Sequence, residues 1–208
     1  EDLSERYLYY TRDTGEHYWY NSEQGFYKDK KRTNKVYDDK AYIDMPNLEY
    51  FTFLDDSQAE IEVTIGDGRR TMRRELDING SQQFDVIVLD AFSGDAIPVH
   101  LLTQEASDIY WRHLKEDGIL ALHISNLHLD LTGVARQMAV YANKEALYIR
   151  DDYPDEQWCD ASDWVLITSN QAFMRDPQVR RLRDGWPHDL KLVAWTDDFS
   201  NLFEVVKW

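Results

Sequence analysis

From residue 50 onward, apolar and polar positions fall into blocks that predict strand, turn and helix in repetition. Residues 61–65 read as a strand ending at Gly66-Asp67-Gly68, followed by a helical stretch over residues 71–76. Residues 86–89 form a near-continuous apolar run, as expected of a strand buried on both faces. Residues 103–115 predict an amphipathic helix: Thr103 can cap it, Glu105 stands in its first turn, and Ala106, Ile109, Tyr110 and Leu114 share a face. Glu116-Asp117-Gly118 is expected to stop that helix. Residues 119–124 read as the next strand, 134–141 as the next helical piece, and 146–149 and 164–168 as later strands. Residues 191–195 are expected to close the sheet.

Strand, turn and helix recurring at intervals of about 30 residues predict an α/β domain with a mostly parallel sheet and helices on both faces. Ligands of such sheets bind beyond the carboxyl ends of the strands. Asp67, Asp90, Ser125 and Asn126 each follow a predicted strand end, so they are expected on one rim, with Asp67, Asp90 and Asn126 opening onto one cleft.

Residues 1–49 differ in composition. They are rich in tyrosine and charge, poor in aliphatics, and carry Gly15 and Gly25 in turn-like settings. Aromatic alternation at residues 7–10 and 17–20 predicts short strands, and Lys28-Asp29-Lys30-Lys31-Arg32 reads as a solvated loop. The expected organisation is therefore a strand and loop arm at 1–49 followed by an α/β domain at 50–208.

The chain has 208 residues, 43% of them hydrophobic, enough for a sizeable core. Its formal net charge of −16 opposes binding to a polyanion, which excludes nucleic acid as an expected partner. The acidic side chains either solvate the surface or steer cationic ligands, and charge alone does not decide between the two. No apolar run approaches the roughly 20 residues needed to cross a bilayer, so no membrane insertion by this segment is expected. Cys159 is the single cysteine, which leaves no internal disulfide and no multi-thiolate metal site. A reducing, cytoplasmic setting fits that usage. His100 and His123 flank the rim without metal-ligand spacing and read as core or supporting histidines.

The blocks "FTFLDDSQAEIEVTIGDGRRTM", "FDVIVLDAFSGDAIPVHLLTQEASDIYWRHLKEDGILALHISNLHLDL" and "WTDDFSNLF" resemble the spermidine-synthase-like proteins, relatives of the polyamine aminopropyltransferases. The resemblance covers the chain from Tyr50 onward and implies a Rossmann-like fold of the S-adenosylmethionine-dependent methyltransferase class. It further implies an acidic residue that holds ribose hydroxyls, matched by Asp44 in "AYIDMP", and an adenine contact from the Gly-Asp-Gly turn, matched by Gly66, Asp67 and Gly68. Asp90 matches the aspartate that binds the attacking amine and takes its proton, and Asp95 stands near the family's second, substrate-binding aspartate. Implied ligands are a polyamine and decarboxylated S-adenosylmethionine or S-adenosylmethionine as co-substrate, with no tightly bound cofactor and a homodimer as the candidate assembly.

Two features depart from the family pattern. The turn "DAFSGDAIP" is longer than the family's, and no Gly-x-Gly-x-Gly loop precedes Asp44 to cradle a nucleoside. Three functions therefore stay open: an aminopropyltransferase, a methyltransferase using S-adenosylmethionine itself, and a non-catalytic regulatory or structural homologue. Asp90 likewise has two readings, as the base for a protonated amine or as the cap of the following turn.

Overall fold

A computed structural model of the chain describes residues 8–11, 17–21, 25–27, 35–37, 59, 64, 66–91, 98–151 and 161–207. By packing, the chain forms two compact units, Glu1–Thr71 and Met72–Trp208. The compositional boundary expected near residue 50 falls outside the described residues, as do Asp44, Asp95, Cys159 and most of the strand expected at 61–65.

In the first unit, β1 (Leu8–Thr11), β2 (His17–Asn21), β3 (Gly25–Tyr27) and β4 (Lys35–Tyr37) make an antiparallel sheet in sequential order. Leu8 pairs with Tyr20 and Asn21 with Gly25, so the two aromatic alternations read from the sequence do lie in neighbouring strands. Helix α1 (Gly68–Asn79) begins at the end of this unit and runs into the second.

The second unit is α/β. Its sheet has the order β5 (Phe84–Leu89), β6 (Leu114–His123), β8 (Ser162–Thr168), β7 (Glu145–Asp151). Strands β5 and β6 pair in parallel, while β8 runs antiparallel to both β6 and β7. Three strands therefore share one direction. Helix α2 (Gln104–His113) joins β5 to β6, and α3 (Thr132–Tyr141) joins β6 to β7, the crossovers that parallel strands require. Two short helices, α4 (Gln171–Arg175) and α5 (Pro177–Leu182), follow β8 and are capped by Asn170 and Asp176.

Register sorts the sheet's side chains into two faces. One row runs Ile87, Leu120, Ile167, Ala146 and the next Leu89, Leu122, Val165, Tyr148. These rows meet Ala106 and Tyr110 of α2 and Val134, Ala135, Met138 and Ala139 of α3 in the main core. On the opposite face Val86 and Val88 remain 48% and 56% exposed. The apolar run at 86–89 is thus buried on one face, not on both as its continuity suggests.

Two other expectations are corrected. Helix α2 ends at His113 and Leu114 already belongs to β6. Phe84 pairs with Leu114 but Val86 pairs with Ile119, so residues 115–118 bulge from the ladder instead of ending a helix. Hydroxyls of Thr168 and Ser169 donate to the Gly118 and Glu116 carbonyls, which satisfies the bulged backbone.

Residues 191–195 do not join the sheet. They form a strap across the helix starts: Gln104 N–H donates to Trp195 O at 2.9 Å, and Thr103, whose hydroxyl caps α2, also donates to Asp197 Oδ1 at 2.9 Å. Glu105 completes the clasp by accepting the Asp197 N–H. Helix starts leave N–H groups without intrahelical partners, and the strap meets this end of α2 while burying Trp195 to 1% exposure.

Gly133 lies where the strap crosses α3: a Cβ there would collide with the Lys191 carbonyl oxygen. Helix propensity alone favours Gly133→Ala by about 1 kcal/mol. The backbone clash reverses the sign, and urea denaturation is expected to find the variant less stable by roughly 1–3 kcal/mol.

Candidate functional site

Chain segments leaving parallel strands carry the polar residues that an α/β sheet presents to ligands. Asp90 is the first residue after β5, and His123 ends β6. Leu89 pairs with Leu122 in the parallel ladder, which brings the two following residues side by side. Asp90 Oδ1 lies 2.7 Å from His123 Nδ1. The aspartate side chain is 53% exposed and the imidazole 21%.

The other imidazole nitrogen, Nε2, lies 2.8 Å from Ser125 Oγ, and that oxygen accepts the backbone N–H of Asp163 at 2.7 Å. The His123 ring stacks on Trp164, its antiparallel partner in β8, with centroids 4.7 Å apart and planes 17° from parallel. Asp163 Oδ1 in turn accepts the Tyr148 hydroxyl at 2.8 Å. The result is a carboxylate at the sheet's carboxyl edge with an imidazole and an aromatic face behind it. Such a group can bind an ammonium ion and accept a proton from it.

Asp67 behaves differently. Its Oδ1 accepts the Arg70 N–H at 2.8 Å and its carbonyl accepts the Thr71 N–H, so it caps the start of α1. Gly66 has φ of +148°, a value that favours glycine, whereas a Cβ on Gly68 would meet nothing within 4 Å. Asp67 belongs to the first unit and Asp90 to the second.

Asn126 was expected to open onto the cleft with Asp90. It is buried instead, and its Oδ1 accepts the N–H groups of His128 and Leu129 at 2.9 and 2.7 Å, the turn-forming use that asparagine serves well. Ser125 lies nearer the site through His123. His100 is exposed in a 3-10 turn at Val99–Leu101. Asp197 holds the strap to α2 through the bonds described above. Among the described residues no group of three or more His, Cys, Asp or Glu side chains is placed to hold a metal, and no helix is long and apolar enough to cross a membrane.

The sequence puts His123 near the rim, but nothing in its local pattern pairs it with Asp90 or marks Trp164, Asp163 and Tyr148, which reach the site only through the pairing of β6, β8 and β7. Burial and the Asp163 carboxylate together push the Tyr148 phenol far above its ordinary value of 10.0. A raised acid pKa in the folded state contributes stability below the unfolded value and loses it as pH rises toward the folded one. The parent is therefore expected to lose stability relative to Tyr148→Phe above about pH 10, with a difference approaching about 1.4 kcal/mol per pH unit. Urea titrations of both proteins across that range provide the check.

No protein-family model matches the chain, and no curated protein matches it. Among solved structures it is similar to a spermidine synthase in complex with the transition state analogue AdoDATO, at 19% identity and a TM-score of 0.40, covering 71% of this chain and 46% of that one. It is also similar to the spermidine synthase from Thermotoga maritima, at 18% identity and a TM-score of 0.40, covering 71% of this chain and 47% of that one. The chain thus spans less than half the length of either structure.

Proposed function

We propose that this chain is a spermidine-synthase-like domain that moves an aminopropyl group from decarboxylated S-adenosylmethionine to a polyamine, with Asp90 as the residue that binds the acceptor. The observation that carries the reading is the exposed Asp90 carboxylate at the carboxyl end of β5, held by His123 at 2.7 Å. The sequence blocks around it point the same way.

The chemistry explains why a carboxylate is needed there. A polyamine nitrogen, with a lysine-like pKa of about 10, is protonated at neutral pH and has no lone pair for attack. Asp90 would attract the ammonium and take one proton from it. The freed lone pair then forms a bond to the aminopropyl carbon next to the sulfonium. The carbon–sulfur bond breaks, its electron pair returns to sulfur, and a neutral thioether departs without needing an acid. The net charge of −16 adds a field that concentrates cationic acceptors. Asp67 and the Gly66 turn, with Asp44, are the residues that the family pattern assigns to the nucleoside.

A non-catalytic homologue is the second reading, favoured by the absence of a Gly-x-Gly-x-Gly motif from the 208 residues. Two measurements separate the readings. Methylthioadenosine or decarboxylated S-adenosylmethionine at a hundredfold excess over its dissociation constant is expected to stabilise the transferase by about 2.7 kcal/mol in thermal unfolding. No shift with either, or with S-adenosylmethionine, favours the non-catalytic homologue. In an active parent, Asp90→Asn is expected to lower aminopropyl transfer to putrescine by roughly 100-fold or more while nucleoside affinity stays unchanged. Equal activity of the two proteins would remove Asp90 from the mechanism.

A further inference from the structure

Asp90 lies at the mouth of the sheet with its side chain largely in solvent, a setting in which a short carboxylate ordinarily samples several rotamers. His123 restricts it. The imidazole is itself held at three points: Asp90 Oδ1 at Nδ1, Ser125 Oγ at Nε2, and the Trp164 ring against its face.

Hydrogen-bond arithmetic assigns the protons. Beside an ionised Asp90, which only accepts, Nδ1 must carry the hydrogen. In the neutral ring Nε2 then accepts, so the Ser125 hydroxyl donates to it, while the serine oxygen takes the Asp163 N–H at 2.7 Å. Asp163 also accepts the Tyr148 hydroxyl through its carboxylate. One connected chain of bonds therefore reaches from the end of β5, through β6 and β8, to β7. A residue at an exposed strand end is in this way linked to every strand of the sheet.

We propose that His123 is a positioning residue for Asp90, an inference that rests on the transferase reading above. The imidazole donates Nδ1–H to one carboxylate oxygen and leaves the second to face the acceptor ammonium and take its proton. Asp90, which only accepts, sets the tautomer; the Ser125 hydroxyl donates to the remaining lone pair at Nε2 and Trp164 sets the plane of the ring. His123 itself takes no proton from the amine, because Nδ1, the nitrogen that faces Asp90, already carries one and the lone pair at Nε2 is turned to the Ser125 hydroxyl.

Four variants and two readouts test this. His123→Leu removes the donor, and misplacing a reacting group by about 1 Å costs on the order of 100-fold in rate. The variant is expected to lose about that much kcat for transfer to putrescine while KM for decarboxylated S-adenosylmethionine holds. His123→Asn offers an amide N–H at about the place of Nδ1 and is expected to recover most of the loss, which a purely structural histidine would not require. In nitrogen-15 spectra of the ring, the parent is expected to show the Nδ1–H tautomer, and Ser125→Ala to keep it, because the Asp90 carboxylate still requires the hydrogen at Nδ1. Unchanged kcat in His123→Leu, or an Nε2–H tautomer in the parent, overturns the proposal. A parent that transfers nothing refutes the transferase reading instead. In that event the ring spectrum still decides the positioning role: an Nδ1–H signal that changes in Asp90→Asn supports it, and an Nε2–H signal ends it.

Discussion

In-register parallel pairing of Leu89 with Leu122 governs the candidate site, because neighbouring strands stand only about 4.8 Å apart and side chains at matched positions leave the sheet on the same side. With that pairing fixed, Asp90 and His123 are adjacent by construction. Slipping β5 by one residue would turn Asp90 to the other face and break the contact. The ladder is in turn held by the core beneath it, where Ile87, Leu120 and Ile167 form a continuous row under α2 and α3. Packing of apolar side chains on one face thus sets the geometry of polar ones on the other.

The strap at the end of the chain serves that core. Trp195 and Val193 join the cluster from a segment with no regular secondary structure between residues 191 and 196, and Val205 joins it after the 3-10 turn Leu202–Glu204. Irregular backbone is tolerated in such a place only when its polar groups find partners. Here Trp195 O, Asp197 and the Thr103 hydroxyl supply them at the start of α2, and Asp130 N–H reaches Val205 O near the start of α3. The Lys115–Asp85 and Lys191–Glu204 ion pairs lie at the surface, where solvent screening leaves such contacts little weight. Stability rests on apolar burial and satisfied helix ends.

Charge acts on two scales. The excess of carboxylates makes a field over the whole molecule, which steers cations without choosing among them. Selection needs a particular carboxylate at a fixed position. Asp90 differs from the many other acidic residues in being tied through His123, Ser125 and Asp163 to the middle of the sheet. Composition reports the first effect and is blind to the second.

Local pattern determined a good part of this protein by itself. Helix α2 was legible in its capping threonine and its apolar face, and β7 and β8 in their apolar runs, since these signals depend on residues a few positions apart. Asp90 was legible as a strand-end carboxylate for the same reason. The end of α2 was misread because Glu116-Asp117-Gly118 has the composition of a helix stop, while the bulge it forms depends on what β5 offers as a partner. Strap and sheet-closing strand look alike in residues 191–195, and contacts with Gln104 and Gly133 some 60 to 90 positions away decide between them. Asn126 and Asp67 carry the same polar label as Asp90, yet both bind neighbouring backbone N–H groups. The partnership of Asp90 with His123, 33 residues apart, was set only by strand register. Sequence fixes which side chains exist and which local shapes they favour; distances between strands follow from how the core packs, and that is a property of the whole chain.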